Sequence, residues 1–91
     1  MKVEHTNDGF TVVRFNCDHE YFQLVADGLK TAEARLLSRS EVASIRSDPP
    51  QYILLTDLGG HHDERLIPLS WFGTVGTLLG SELVLFCWRQ S

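Results

Sequence analysis

The spacing of apolar residues along the chain changes period several times, and each change marks an element. Asn7-Asp8-Gly9 is a turn signal, and the β-branched and aromatic run Phe10-Thr11-Val12-Val13-Arg14-Phe15 behind it predicts a strand. Tyr21, Leu24, Val25 and Leu29 then recur at three- and four-residue spacings, the single apolar stripe of a helix over about 19–28. Asp18 is placed to cap that helix, Glu20 adds a favourable charge in its first turn, and Gly28 falls where a left-handed residue ends it. From Thr31 the period drops to two. Ala32, Ala34 and Leu36 share one face of a predicted strand, and Thr31, Glu33 and Arg35 share the other. Ser38 and Glu41 have the S-x-x-E spacing of a capping box, with Leu37 and Val42 placed as a hydrophobic staple around it. The helix that starts there must stop at Asp48-Pro49-Pro50, because proline cannot continue the ladder.

Beyond the prolines, Tyr52-Ile53-Leu54-Leu55-Thr56 predicts a buried strand. A polar turn over Gly59-Gly60-His61-His62-Asp63-Glu64 leads to an antiparallel partner, Arg65 to Trp71. Pro68 cannot donate to a ladder, which predicts that this strand is at an edge or bulged. Gly73 to Gly80 reads either as a short helical turn or as a glycine-loosened loop. Glu82 to Trp88 is a strongly apolar closing strand. This order predicts a single α+β domain over residues 1–91: a small, mostly antiparallel open β-barrel with two short helices.

Composition narrows the possibilities. Hydrophobic residues make up 43% and charged residues 22% of the 91 residues, which excludes a wholly disordered chain. A domain of this size buries only about 60–65% of its unfolded surface, so its core is thin. Eight Lys and Arg against twelve Asp and Glu give a formal charge of −4. That balance excludes a nucleic-acid binder relying on an extended basic surface, so any nucleotide or RNA must sit in a local pocket. Cys17 and Cys87 lack C-x-x-C spacing and read as reduced, half-buried thiols. With no apolar run near the ~20 residues of a membrane span and no apolar core in MKVEHTNDGF, the expected location is the cytoplasm, with no membrane partner.

The densest chemistry lies between Gly28 and Arg35. Thr31, Glu33 and Arg35 recur on one strand face about 7 Å apart, and Lys30 stands at the turn before them. An amine, a hydroxyl, a carboxylate and a guanidinium can together donate to phosphate or carbonyl oxygens and accept from exocyclic amines. Alternation alone also describes a solvated strand face whose ion pairs contribute little. The spacing G-x-K-x-x-E-x-R, carried by Gly28, Lys30, Glu33 and Arg35 directly after an amphipathic helix, resembles the signature of the ASCH family of small PUA-like β-barrel domains. The similarity covers residues 10–37, with the closing strand also in its expected place.

The resemblance implies an RNA-related function with Lys30, Glu33 and Arg35 in the pocket, and Thr31, on the same predicted strand face, completes the expected ligand-binding set. Some bacterial members of the family are enzymes, one branch removing an acetyl group from a modified cytidine and another linked to RNA cleavage. If the chain is an enzyme, Lys30 and Glu33 are the candidate catalytic residues, although the deacetylating branch carries threonine where Glu33 stands here. The expected function is an RNA- or nucleotide-binding module with a compact polar pocket. The alternatives are a hydrolase acting on a modified nucleoside, and a protein-interaction module of mobile-element origin meeting its partner through the 65–72 edge. No metal or cofactor is expected: the adjacent His61, His62, Asp63 and Glu64 read as a solvated turn, and Gly73 to Gly80 lacks a P-loop lysine. His19 could face the Lys30 region or lie at the surface, and Trp71, Phe72 and Trp88 are candidate stacking surfaces.

Overall fold

A computed structural model of the chain describes residues 2–59 and 62–89. Its elements run β1 (Lys2–His5), β2 (Thr11–Cys17), α1 (His19–Ala26), β3 (Ala32–Leu37), α2 (Arg39–Ser47), β4 (Tyr52–Asp57), β5 (Glu64–Leu78) and β6 (Ser81–Trp88). The six strands form one mixed sheet in the order β1-β2-β4-β5-β6-β3, so the domain is α+β with two short helices. Four ladders are antiparallel and only β2 with β4 is parallel. That parallel pair needs a long crossover, and α1, β3 and α2 all lie within it. The sheet is not closed into a barrel: β1 and β3 are its two ends.

Local signals account for the helices. The Asp18 carboxylate accepts from the backbone N–H of Tyr21, and Gly28 takes φ +83° just past α1, the left-handed conformation that terminates a helix. Ser38 and Glu41 make both bonds of the capping box, and Leu37 and Val42 flank it fully buried. α1 stops two residues short of the expected 28, because the chain begins its left-handed turn at Asp27–Gly28.

The structure adds one strand and corrects one expectation. Lys2–His5 forms an edge strand against Thr11–Arg14, which its own pattern did not announce. The stretch from Gly73 is neither helical turn nor loop but the second half of β5, and the turn is confined to Leu79–Gly80. A side chain on Gly73 would meet the Trp71 ring at 2.7 Å, and Gly76 lies at a register shift, so both glycines serve the strand rather than ending it. The expectation for Pro68 holds: 64–68 pair with β4 alone, leaving a free edge where Pro68 stands, and 69–78 pair with β6. The register shift at Leu69/Trp71 is the irregularity that Pro68 foreshadows. Of the expected 59–64 turn, Gly60 and His61 lie outside the described residues. No helix among the described residues is long and apolar enough to cross a membrane.

The core is built from Val13 and Phe15 of β2, Ile53 and Leu55 of β4, Val84, Phe86 and Trp88 of β6, and Val25, Val42 and Ile45 of the helices. Phe86 is at its centre, edge-on to Phe15 at 5.1 Å and stacked on Phe72 at 6.0 Å. Phe86→Ala is expected to cost about 3–5 kcal/mol, a large share of a total of about 5–15. Urea denaturation would show this as a fall in midpoint; a midpoint close to wild type would mean that Phe86 does not organise the core.

Candidate functional site

The register of β3 on β6 decides where the polar side chains go. Glu33 is opposite Phe86 and Arg35 opposite Val84, and cross-strand partners share a face. Phe86 and Val84 are fully buried, so Glu33 and Arg35 point inward, while Ala34 and Leu36 are left on the exposed face. The Glu33 side chain keeps only 14% exposure and that of Arg35 36%. The solvated-face alternative therefore does not describe this strand.

Three elements and the turn before β3 contribute to the resulting network. The Tyr21 hydroxyl of α1 donates to Glu33 Oε2. Glu33 Oε1 lies 3.7 Å from Arg35 Nε, and the Arg35 guanidinium rests on the Phe15 ring of β2 at 4.8 Å. Lys30 Nζ lies 4.8 Å from the Tyr21 ring centre. Two cation–π contacts thus bracket one carboxylate. Burial pushes the Glu33 carboxyl above its ordinary range, against the opposing pull of Arg35 and of the Ala34 backbone N–H. Arg35 Nε is enclosed and has no hydrogen-bond partner.

Of the four residues expected from sequence, the structure brings together Lys30, Glu33 and Arg35. Thr31 is exposed; its carbonyl accepts from Trp88 N–H, and its hydroxyl makes no bond among the described residues. Sequence reasoning missed Tyr21 and Phe15, read only as helix and strand stripe. It also missed a cleft of about 270 Å³ lined by Lys2, Arg14, Phe15, Asn16 and Arg35. That cleft opens where β2 runs past the end of β1 at the Lys2–Arg14 pair. Arg14 is held there by Glu4 and the Thr56 hydroxyl, each at 3.1 Å, and by Glu64 at 3.7 Å. The alternation of β2 carried a signal, since Arg14 and Asn16 interrupt an otherwise apolar strand.

Cys17 follows at the end of β2. Burial pushes its thiol up to about 11, with Asp57 and Asp18 adding to the effect, so it stays protonated at neutral pH. His19 does not turn to Lys30: its Nδ1 meets Asp57 Oδ2 at 2.7 Å. Asp57 is fully buried and also accepts from Gly59 N–H at 2.9 Å, so the pair ties the start of α1 to the end of β4. Trp71 is exposed, whereas Trp88 is buried and offers no stacking face. Among the described residues, no group of three or more His, Cys, Asp and Glu could hold a metal ion. Comparison with known proteins returns no matching family model, curated protein or solved structure.

Two outcomes follow. Tyr21→Phe removes the donor to a half-buried carboxylate and is expected to destabilise the fold by about 1–3 kcal/mol, read by urea denaturation. The second concerns pH. The hydrogen bond to Asp57, followed by that carboxylate's charge, raises the His19 pKa. The bond from His19 lowers the Asp57 pKa against the opposing effect of burial. The imidazolium's contribution is complete below about pH 6.5 and is lost as pH rises through the raised value. The carboxylate's is complete above about pH 4 and is lost as pH falls through the lowered value. His19→Gln should therefore lose most stability between about pH 4 and 6.5; equal losses at pH 5 and pH 9 would contradict the pairing.

Proposed function

We propose that the chain is an ASCH-like binding module that takes a nucleotide, or a short segment of RNA, in the cleft beside Arg35. The observation that carries this reading is Arg35 itself. It lines the cleft from an inward-facing strand position, its guanidinium 4.8 Å over Phe15 and its Nε enclosed, 3.7 Å from Glu33 Oε1 and without a hydrogen bond. Guanidinium groups suit phosphate through paired N–H···O bonds, and Arg14 and Lys2 line the same cleft. Asn16 adds an amide that both donates and accepts, as recognition of a base edge requires. Glu33, Tyr21 and Lys30 then act behind Arg35 and fix its direction.

The PUA-like barrel belongs to the same proposal, with the unpaired seam between β2 and β3 as the mouth of the barrel. Binding is preferred to hydrolysis of a modified nucleoside because Lys30 rests on the Tyr21 ring and Glu33 accepts the Tyr21 hydroxyl. Both candidate catalytic groups are thereby occupied in holding the site together.

Thermal-shift titration with nucleoside monophosphates and short single-stranded RNAs tests the proposal. At least one should stabilise the wild type, and Arg35→Leu should weaken binding by roughly ten- to a hundredfold. The logarithmic salt slope should be shallow, about −0.7 to −1.4, as for one or two phosphate contacts on a single strand. Equal stabilisation of wild type and Arg35→Leu by every ligand would sink the proposal.

A further inference from the structure

A second cleft, sharing no lining residue with the first, lies at the other end of β6. Strand β6 ends at Trp88, opposite Leu69, whereas β5 begins earlier, at Glu64, so 64–68 project past the end of their neighbour. On the other side this stretch is paired with β4, and the phase of that pairing is given by two bonds. Leu69 N–H donates to Gln51 O at 2.9 Å, and Asp57 N–H donates to Asp63 O at 2.8 Å. Odd-numbered residues of β5 therefore bond to β4, and Leu66 and Pro68 turn their backbone groups away from it. Pro68, having no N–H, fits this position without losing a ladder bond.

The space beside that stretch is a cleft of about 120 Å³, room for a few water-sized groups. Its lining is Val25 of α1, Arg65 to Pro68 of β5, and Trp88 and Arg89. Val25 and Ile67 are buried and apolar. Trp88 is 5% exposed, and its indole Nε1 is enclosed with no hydrogen-bond partner. Arg65 and Arg89 are exposed and make no ion pair or side-chain hydrogen bond among the described residues. The polar side chains of this cleft are thus one indole and two guanidiniums. An indole N–H and a guanidinium only donate, and no carboxylate is among the described residues that line the cleft.

We infer that this cleft is a seat for a tetrahedral oxyanion, a phosphate group held by Arg65, Arg89 and the Trp88 indole N–H. A ligand that only accepts matches polar side chains that only donate. The two guanidiniums supply the charge, and their forked N–H groups match phosphate oxygens. The apolar floor of Val25 and Ile67 strengthens each bond by keeping water away from one side. The indole N–H, otherwise an uncompensated buried donor, gains its acceptor. Free phosphate and the phosphate of a nucleotide present the same chemistry here, and the test separates them.

The experiment uses the full chain carrying Trp71→Phe, which leaves Trp88 as the reporting indole. Inorganic phosphate and a nucleoside 5′-monophosphate are titrated at constant ionic strength against chloride, reading indole emission and thermal midpoint. A saturable emission change with phosphate, absent with chloride, is expected. Arg65→Ala and Arg89→Ala should each weaken it at least roughly tenfold, and Trp88→Phe should weaken binding read by thermal midpoint. Arg35→Leu should leave it unchanged, which separates this seat from the cleft beside Arg35. In the Arg35→Leu background, tighter binding of the monophosphate read by indole emission identifies a nucleotide as the source, and equal binding identifies free phosphate. The inference is overturned if phosphate gives no saturable change by about 10 mM, or if both arginine variants respond as the parent does. Because Arg65 and Arg89 are exposed, those variants remain informative even if Trp88→Phe does not fold.

Discussion

The pairing of β3 with β6 is the constraint on which the site depends. Both faces of β6 are apolar, so alternation alone does not say which face of its neighbour turns inward. The large aromatics decide it: Phe86 and Trp88 fill the space beneath the sheet, while Leu83, Leu85 and Cys87 lie on the outer face. With β3 in register, Glu33 and Arg35 are carried inward with them. Taking a carboxylate and a guanidinium out of water costs several kcal/mol per ion unless each finds partners. The partners come from three other places in the chain: the Tyr21 hydroxyl, the Phe15 ring, and Lys30 over the Tyr21 ring. One register thus ties β2, α1, β3 and the turn between them into a single polar cluster.

The open seam follows from the same arrangement. β3 approaches β2 closely enough for Arg35 to lie on Phe15, yet the two strands do not pair. A ladder at that seam would close the sheet and fill the gap with backbone. Instead the gap is lined by Lys2, Arg14, Asn16 and Arg35, side chains that carry charge or hydrogen-bonding capacity. On the proposed reading, incomplete closure is what makes a small barrel-like sheet able to hold a ligand.

The elements that were legible in the sequence are those whose signals are local. The capping box at Ser38 and Glu41, the Gly28 stop and the prolines at 49 and 50 act within a few residues, and each does what its chemistry predicts. What could not be read depends on distant partners. Lys2–His5 becomes a strand only because Thr11–Arg14 lies beside it. Gly73 looks like a loop residue until the Trp71 ring lies across it. Lys30, Glu33 and Arg35 lie together, as their spacing suggested, but their depth was not legible. Depth comes from Phe86 and Val84 fifty residues further on, and so do the roles of Tyr21 and Phe15. Thr31 was grouped with Glu33 and Arg35 by alternation, yet it precedes the first residue of β3 and lies outside the inward-facing register.

Net charge sharpens how any phosphate would be held. At −4 the chain does not attract polyanions from a distance, so affinity must come from short-range geometry. Many of the acids are engaged in holding cations: Glu4 and Glu64 on Arg14, Glu33 on Arg35, Glu82 on Arg46. Each such pair orients a guanidinium while cancelling its long-range field. Arg65 and Arg89 stand apart from this pattern, with no carboxylate paired to them among the described residues. Their cleft is also the one whose indole donor lacks a partner. Charge left unpaired beside an enclosed donor is where an acidic protein retains capacity for an anion, and the arrangement favours a single small group over a polymer.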